Sequence, residues 1–177
     1  MSFHYSFATL GDARELRMLI NFMATQDLGY PGYHERWLPK TEAQLERGEK
    51  QAIIAFSERT LVGNLVHQSC RDTGLGSLIE IKNLRIHPEL RERYFANFMM
   101  KQLYVEARNK GDDGVIVDVR ANQQNTRRFF ESQGFVSLMS VPLYETAMQE
   151  VVMFKPLKQD AGSLIPKTKE VIMLRAV

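Results

Sequence analysis

The chain has 177 residues, 44% hydrophobic and 25% charged, which fits one globular domain with a core of its own and excludes a disordered or fibrous chain. Its 23 basic and 21 acidic side chains leave a formal charge of +2, too balanced to draw nucleic acid by bulk attraction. The single cysteine, Cys70, excludes an intrachain disulfide and a multi-cysteine metal centre and matches a reducing, intracellular setting.

The opening stretch MSFHYSFATLGDARELRML lacks the basic and apolar regions of a secretory signal. No window approaches the roughly 18 apolar residues of a membrane span. The expectation is a cytoplasmic protein without a membrane partner.

Period-two and helical patterns alternate along the chain, which predicts a mixed α/β domain. Phe3, Tyr5 and Phe7 alternate with polar residues as a first strand. Asp12 then caps a helix whose Leu16, Leu19, Ile20 and Met23 share one face. Gly29, Pro31 and Gly32 open a loop carrying Tyr30, Tyr33 and Trp37, and a second helix is expected after Pro39 with Thr41 as its cap.

The runs QAIIAFSE and LVGNLVHQSC, separated at Arg59–Thr60, form a hairpin, and LIEIKNLRIHP adds a third antiparallel strand. Within it Ile79 and Ile81 alternate in one phase and Leu84 and Ile86 in the other. Either a bulge near Lys82–Asn83 or burial of both faces reconciles the two. The helix that follows places Phe95, Phe98, Met99, Leu103 and Ala107 on one side and stops at Gly111. GVIVDV reads as a buried strand, NTRRFFESQG as a short helix, and FVSLMSVPLY with EVVMFK as a strand pair. KEVIMLRAV, beyond the linker QDAGSLIP, is an extra strand that would pair with the sheet edge or with a second subunit.

The turn HPELRERYFA brings the chain from a strand into a helix. Unpaired amides and the positive end of the dipole make such a helix start suited to phosphate, and Arg91 and Arg93 add charge there. Two arginines at a helix start also stand against the dipole, a conflict that a bound anion relieves. The ordinary alternative is a solvated surface. His34, His67 and His87 show no metal-ligand spacing, Cys70 has no nearby histidine, and no metal site is expected.

These features, carried by LRIHPELRERYFA and VDVRANQQNTRRFFESQGF, resemble the GNAT (general N-acetyltransferase) superfamily from about Phe3 to Leu157. The resemblance implies an α/β (α+β) fold, with a central mixed, mostly antiparallel twisted sheet flanked by helices. A V-shaped split is expected between the fourth and fifth strands, where Ile79–Ile86 and Gly114–Val119 run parallel and diverge. Residues 1–157 would form the acyl-CoA-dependent domain and 158–177 a linker with the extra strand. Acetyl-CoA is the implied co-substrate, and a primary amine on a small molecule or peptide the implied acceptor, attacking directly. No nucleic-acid partner is expected, and a homodimer is considered.

For the cofactor, the resemblance implies Leu84, Arg85 and Ile86 along the pantetheine arm and Arg91, Arg93, Tyr94, Phe95 and Ala96 at the pyrophosphate. Asn122, Gln123 and Phe130 follow in the second motif, Gln123 standing where the family places Asn. Tyr94 occupies the usual glycine position, and Phe130 the position of a tyrosine that protonates the departing thiolate. Glu80 is the implied general base. Tyr94, Tyr104 or Tyr144, or a water, is left to act as acid, with Tyr144 carried as the catalytic candidate. Tyr30, Tyr33, Glu35 and Trp37 would shape the acceptor pocket, although the aromatic residues would equally seal the core. The competing reading is a degenerate member that binds CoA or a partner without catalysis.

Overall fold

In the computed structural model, which describes residues 4–26, 29–70, 76–91, 94–143 and 148–160, local sequence signals place most elements directly. Strand β1 (Tyr5–Thr9) pairs antiparallel with β2 (Gln51–Ser57), from Tyr5↔Ser57 to Thr9↔Ile53. Helix α1 (Ala13–Ala24) starts at Asp12, whose Oδ1 accepts from Glu15 N at 2.8 Å. Glu15 reaches back to accept from Gly11 N at 2.7 Å, so two amides ahead of the helical ladder are satisfied reciprocally.

Helix α2 (Leu38–Glu46) corrects the expected cap at Thr41. A π-helical turn, Tyr33–Trp37, runs straight into α2, and Pro39 sits in the first turn, where a missing N–H costs nothing. Thr41 is instead buried within the helix, its Oγ1 accepting from Lys50 Nζ at 2.9 Å. Gly32 begins the turn at φ 75°, and a Cβ there would collide with the Arg36 guanidinium.

Strand β3 (Thr60–Ser69) completes the hairpin with β2, with a register shift between Ala55 and Phe56. Strand β4 (Leu78–Ile86) and the parallel β5 (Gly114–Arg120) are paired from Leu78↔Gly114 to Ile81↔Val117. Helix α3 (Phe95–Lys110) separates them in sequence, and α4 (Gln124–Ser132) follows β5. Strand β7 (Glu150–Pro156) pairs antiparallel with both β5 and β6 (Val136–Val141). The hydrogen-bonded order of the mixed seven-stranded sheet is β1-β2-β3-β4-β5-β7-β6.

The chain divides into two compact units, Met1–Gln68 with Asn83–Leu103 and Ser69–Lys82 with Tyr104–Val177. In the first, Leu16, Leu19 and Met23 of α1 and Leu38 and Leu45 of α2 bury against Ala52, Ile54, Leu61 and Val66. Phe95, Met99 and Leu103 are buried as the helical period requires. Phe98, at the flank of that stripe, is half exposed and rests on the Phe7 ring at 5.4 Å.

In the second unit, Leu78, Ile116, Leu138, Val141, Val152 and Phe154 form the core. Gly114 is required there by close approach, because a Cβ would lie 2.6 Å from the Phe154 ring and 2.9 Å from Lys155 O. Tyr144, Arg93 and the KEVIMLRAV segment lie outside the described residues. No described helix is long and apolar enough to cross a membrane.

Candidate functional site

The first unit holds the strand–turn–helix segment. Along β4 the buried phase runs through Ile79, Ile81 and Asn83 and resumes at Ile86, so the slip falls just after Asn83. Asn83 is drawn inward because its Oδ1 accepts from Asn64 Nδ2 at 2.8 Å, a buried polar pair in which Asn64 Oδ1 itself has no hydrogen-bond partner. Leu84 and Arg85 are half-buried beyond the last residue paired with β5, and the Arg85 guanidinium donates to Leu84 O at 3.2 Å.

His87 then donates its amide to Val62 O at 2.7 Å and leads into a 3₁₀ turn, Pro88–Leu90, with Arg91 exposed at its end. Tyr94 stands immediately before α3 with φ 61°, in the left-handed region that glycine occupies without penalty. Its side chain is 70% exposed. The backbone therefore keeps the conformation that a glycine would take there, and the ring is turned out to solvent.

The first intrahelical bond of α3 runs from Phe98 N to Tyr94 O at 3.1 Å, so the amides of Phe95, Ala96 and Asn97 precede the ladder. Phe95 anchors this helix start, meeting Tyr5 edge-on at 4.8 Å and Phe7 at 5.6 Å. Ala96 is half-buried beside it.

The second unit brings together acids and bases. Glu80 Oε1 accepts from Lys82 Nζ at 2.8 Å, both side chains being mostly buried. The register pairs Glu80 with Ile116, Ile116 with Phe154, Asp118 with Val152, and Arg120 with Glu150. Because directly opposed residues share a face and alternate residues along a strand do too, Glu80, Asp118, Arg120 and Glu150 lie on one face.

Glu150 is fully buried, and neither carboxylate oxygen has a hydrogen-bond partner. Arg120 Nε approaches Oε1 only to 3.9 Å. Burial pushes the Glu150 carboxyl up to about 7, the neighbouring Asp118 charge adds to the rise, and Arg120 opposes it.

Gln123 caps helix α4, its carbonyl accepting from Arg127 N at 3.1 Å, with Asn122 exposed just before it. Phe130 is buried among Phe129 at 5.3 Å and Phe135 at 5.1 Å, both edge-on.

The acetyltransferase (GNAT) family model matches residues 17–135. The chain belongs to the GNAT family.

Three solved structures share its fold at low identity. A GNAT-family protein of Desulfovibrio desulfuricans has a TM-score of 0.74 at 11% identity, covering 88% of this chain and 100% of its own. The ribosomal-protein-S18-alanine N-acetyltransferase of Escherichia coli gives 0.71 at 16%, covering 88% and 96%. An aminoglycoside 6'-N-acetyltransferase complexed with coenzyme A gives 0.69 at 12%, covering 86% and 97%. No curated protein sequence matches significantly.

The aromatic loop leads from α1 into α2. In that loop Tyr33 is buried, stacks on Trp37 at 5.3 Å and donates its hydroxyl to Met23 O at 3.1 Å. Burial pushes its phenol up to about 12, with Arg85 opposing. Tyr30 is half-buried and Glu35 exposed.

Of the tyrosines considered as GNAT acids, Tyr94 is exposed and Tyr144 lies outside the described residues. Tyr104 is buried, its phenol pushed up by burial, and it donates to Gln133 Oε1 at 3.4 Å. Among the described residues no group of three or more His, Cys, Asp or Glu is placed to hold a metal.

Asp118 and Glu150 escaped the sequence reading. An acid at period two in the otherwise apolar run GVIVDV was the available signal for Asp118. Nothing in the sequence announced that β7 would lie beside β5.

Proposed function

We propose that this GNAT-family chain transfers an acetyl group from acetyl-CoA to a primary amine. The observation that carries the reading is the Tyr94 backbone, which holds a glycine-like left-handed turn at the head of α3. Such a turn would direct the first amides of the 16-residue α3 towards a bound anion, since N–H groups at a helix start and the dipole both favour phosphate. Arg91 and Arg93 would supply charge, and Tyr94, Phe95 and Ala96 the backbone donors. The main chain of Leu84, Arg85 and Ile86 would pair with the amides of the pantetheine arm as an added strand. Asn122, Gln123 and Phe130 would complete the cofactor's surroundings.

Bound acetyl-CoA supplies an activated thioester; the protein orients it, takes a proton and stabilises charge. An alkylammonium cannot attack until it loses a proton, so a base must receive it. Glu80 is the candidate carried by its place on β4. An amide near Leu84 would donate to the oxyanion. Tyr144 is retained as the candidate acid, although a thiolate whose thiol titrates near about 8.5 leaves tolerably without one. Tyr30, Tyr33, Glu35 and Trp37 are the acceptor-side candidates, Glu35 being suited to a cationic amine. A homodimer and a cytoplasmic setting belong to the same proposal.

A second reading, a CoA-binding module without turnover, is favoured by Phe130, which is sealed in an aromatic cluster and has no proton to give. Calorimetric titration of CoA and acetyl-CoA, with thiol release followed against small amines and peptide N-termini, separates the two. Binding with release supports the transferase, binding without release the module. No binding overturns both.

A further inference from the structure

At one end of the β3–β4 ladder Cys70 N donates to Leu78 O at 2.8 Å, and at the other His87 N donates to Val62 O at 2.7 Å. Eight steps along β3, from Cys70 to Val62, are thus matched by nine along β4, from Leu78 to His87. One extra residue on β4 is the count of a bulge, and the buried phase places it at Asn83. Beyond it the register is regular, since a Cβ on Gly63 would lie 2.8 Å from Ile86 Cδ1. Along an antiparallel strand the main-chain groups face the partner at every second residue. The His87–Val62 bond therefore turns the N–H and C=O of Arg85 towards β3 and those of Leu84 and Ile86 away from it. Leu84 O, so turned, accepts from the Arg85 guanidinium at 3.2 Å.

Asn83, 6% exposed, meets the fully buried Asn64 at this point, with Asn64 Nδ2 donating and Asn64 Oδ1 left unpartnered. As a source of stability such a pair is poor, because a half-satisfied buried network costs more than apolar groups of the same shape. What it supplies is place. The bond is directional and forms only with Asn83 turned towards Asn64, which fixes the residue at which β4 changes phase. We propose that Asn64 and Asn83 are positioning residues for acyl transfer: their bond locks the slip and so holds the Leu84 N–H outward to meet the thioester oxygen. The inference rests on the transferase reading and goes beyond it by assigning that geometry to a side chain of β3. As the amine nitrogen bonds the thioester carbon, the carbonyl π pair moves onto oxygen, where the Leu84 N–H receives it. Its return breaks the C–S bond and releases the thiolate, while the proton lost from nitrogen goes to the base.

The test follows thiol release from acetyl-CoA with 1,4-diaminobutane and with a peptide N-terminus, beside thermal unfolding and the calorimetric Kd for CoA. Asn64→Leu combined with Asn83→Leu replaces both polar groups at similar volume, so the melting temperature should hold or rise. In that variant kcat should nevertheless fall by about tenfold or more. Its Kd for CoA should change by less than about threefold, because the helix start carries the phosphates. Asn83→Asp keeps an oxygen for Asn64 Nδ2 but buries a charge, so it should melt lower yet hold kcat within about threefold of wild type. A pair that served the fold alone would make activity follow stability, the opposite ranking.

Should the double variant not fold, Asn83→Ala takes its place with the same expected loss of kcat. In isotope-labelled wild type, saturating acetyl-CoA should shift the Leu84 amide resonance, and the shift should shrink in the variant. Wild-type kcat in the variant overturns the inference, as does a Leu84 amide that stays unmoved while calorimetry shows acetyl-CoA bound. Wild type that binds CoA yet acetylates no amine overturns the transferase reading, and the pair then stands or falls on the Leu84 amide.

Discussion

Arg120 and Glu150 stand opposite one another on β5 and β7, with Nε 3.9 Å from Oε1, too far for a hydrogen bond. The carboxyl is therefore buried with only a loosely held cation to offset its desolvation, and burial favours its protonated form.

Stability should consequently depend on pH in a defined direction. The Glu150 carboxyl titrates near 7 when folded and near 4.5 when unfolded, so the folded state binds the extra proton between those values. Its stabilising contribution is complete below about pH 4.5 and lost as pH rises through 7. Denaturant melts of wild type against Glu150→Gln should diverge by on the order of 2 kcal/mol between pH 5 and 8, with wild type losing ground as pH rises. Parallel curves would count against the buried acid.

Tyr94→Gly should stabilise the protein by about 1 kcal/mol, because the left-handed φ of 61° penalises any Cβ. Tyr94→Ala removes the ring and keeps the penalty, so it should show no such gain. With the phenol gone from the head of α3, CoA affinity measured by calorimetry should rise in the glycine variant.

Phe130→Tyr introduces a hydroxyl into a position only 2% exposed, between Phe129 and Phe135. Left without a partner, that group should cost about 1–3 kcal/mol, read as a lower melting temperature. If thiolate departure limits turnover, kcat should increase in the same variant.

Two substitutions probe the first unit. Asp12→Ala removes the carboxylate that accepts from Glu15 N and should cost about 1 kcal/mol. Leu19→Ala empties a fully buried position in the α1–α2 core and should cost about 2–5 kcal/mol. Equilibrium unfolding should rank them in that order.

Local chemistry was readable from residues that are close in sequence. Asp12 announced α1, the apolar runs flanking Arg59–Thr60 announced the hairpin, and HPELRERYFA announced the strand–turn–helix. Thr41 misled because a π-helical turn, a rare arrangement with no simple sequence signature, had already started the helix upstream. The phase slip in β4 was visible, but its position after Asn83 depended on Asn64, a partner on another strand.

Glu150 was the least legible. Its surroundings follow from β7 inserting beside β5, a non-local pairing that joins positions 120 and 150. GVIVDV reads as a buried strand and EVVMFK as one strand of a pair; that their facing rows end in Asp118, Arg120 and Glu150 emerges only once the register is known.

Trp37 is the chain's only tryptophan, and it stacks on Tyr33 with the Lys50 ammonium 5.0 Å from its ring. Intrinsic fluorescence excited at the indole thus watches a single spot beside the α1–α2 core. Calorimetric heat comes from the whole chain. A difference between the emission-derived and heat-derived transitions would reveal that the two units lose their order in separate stages.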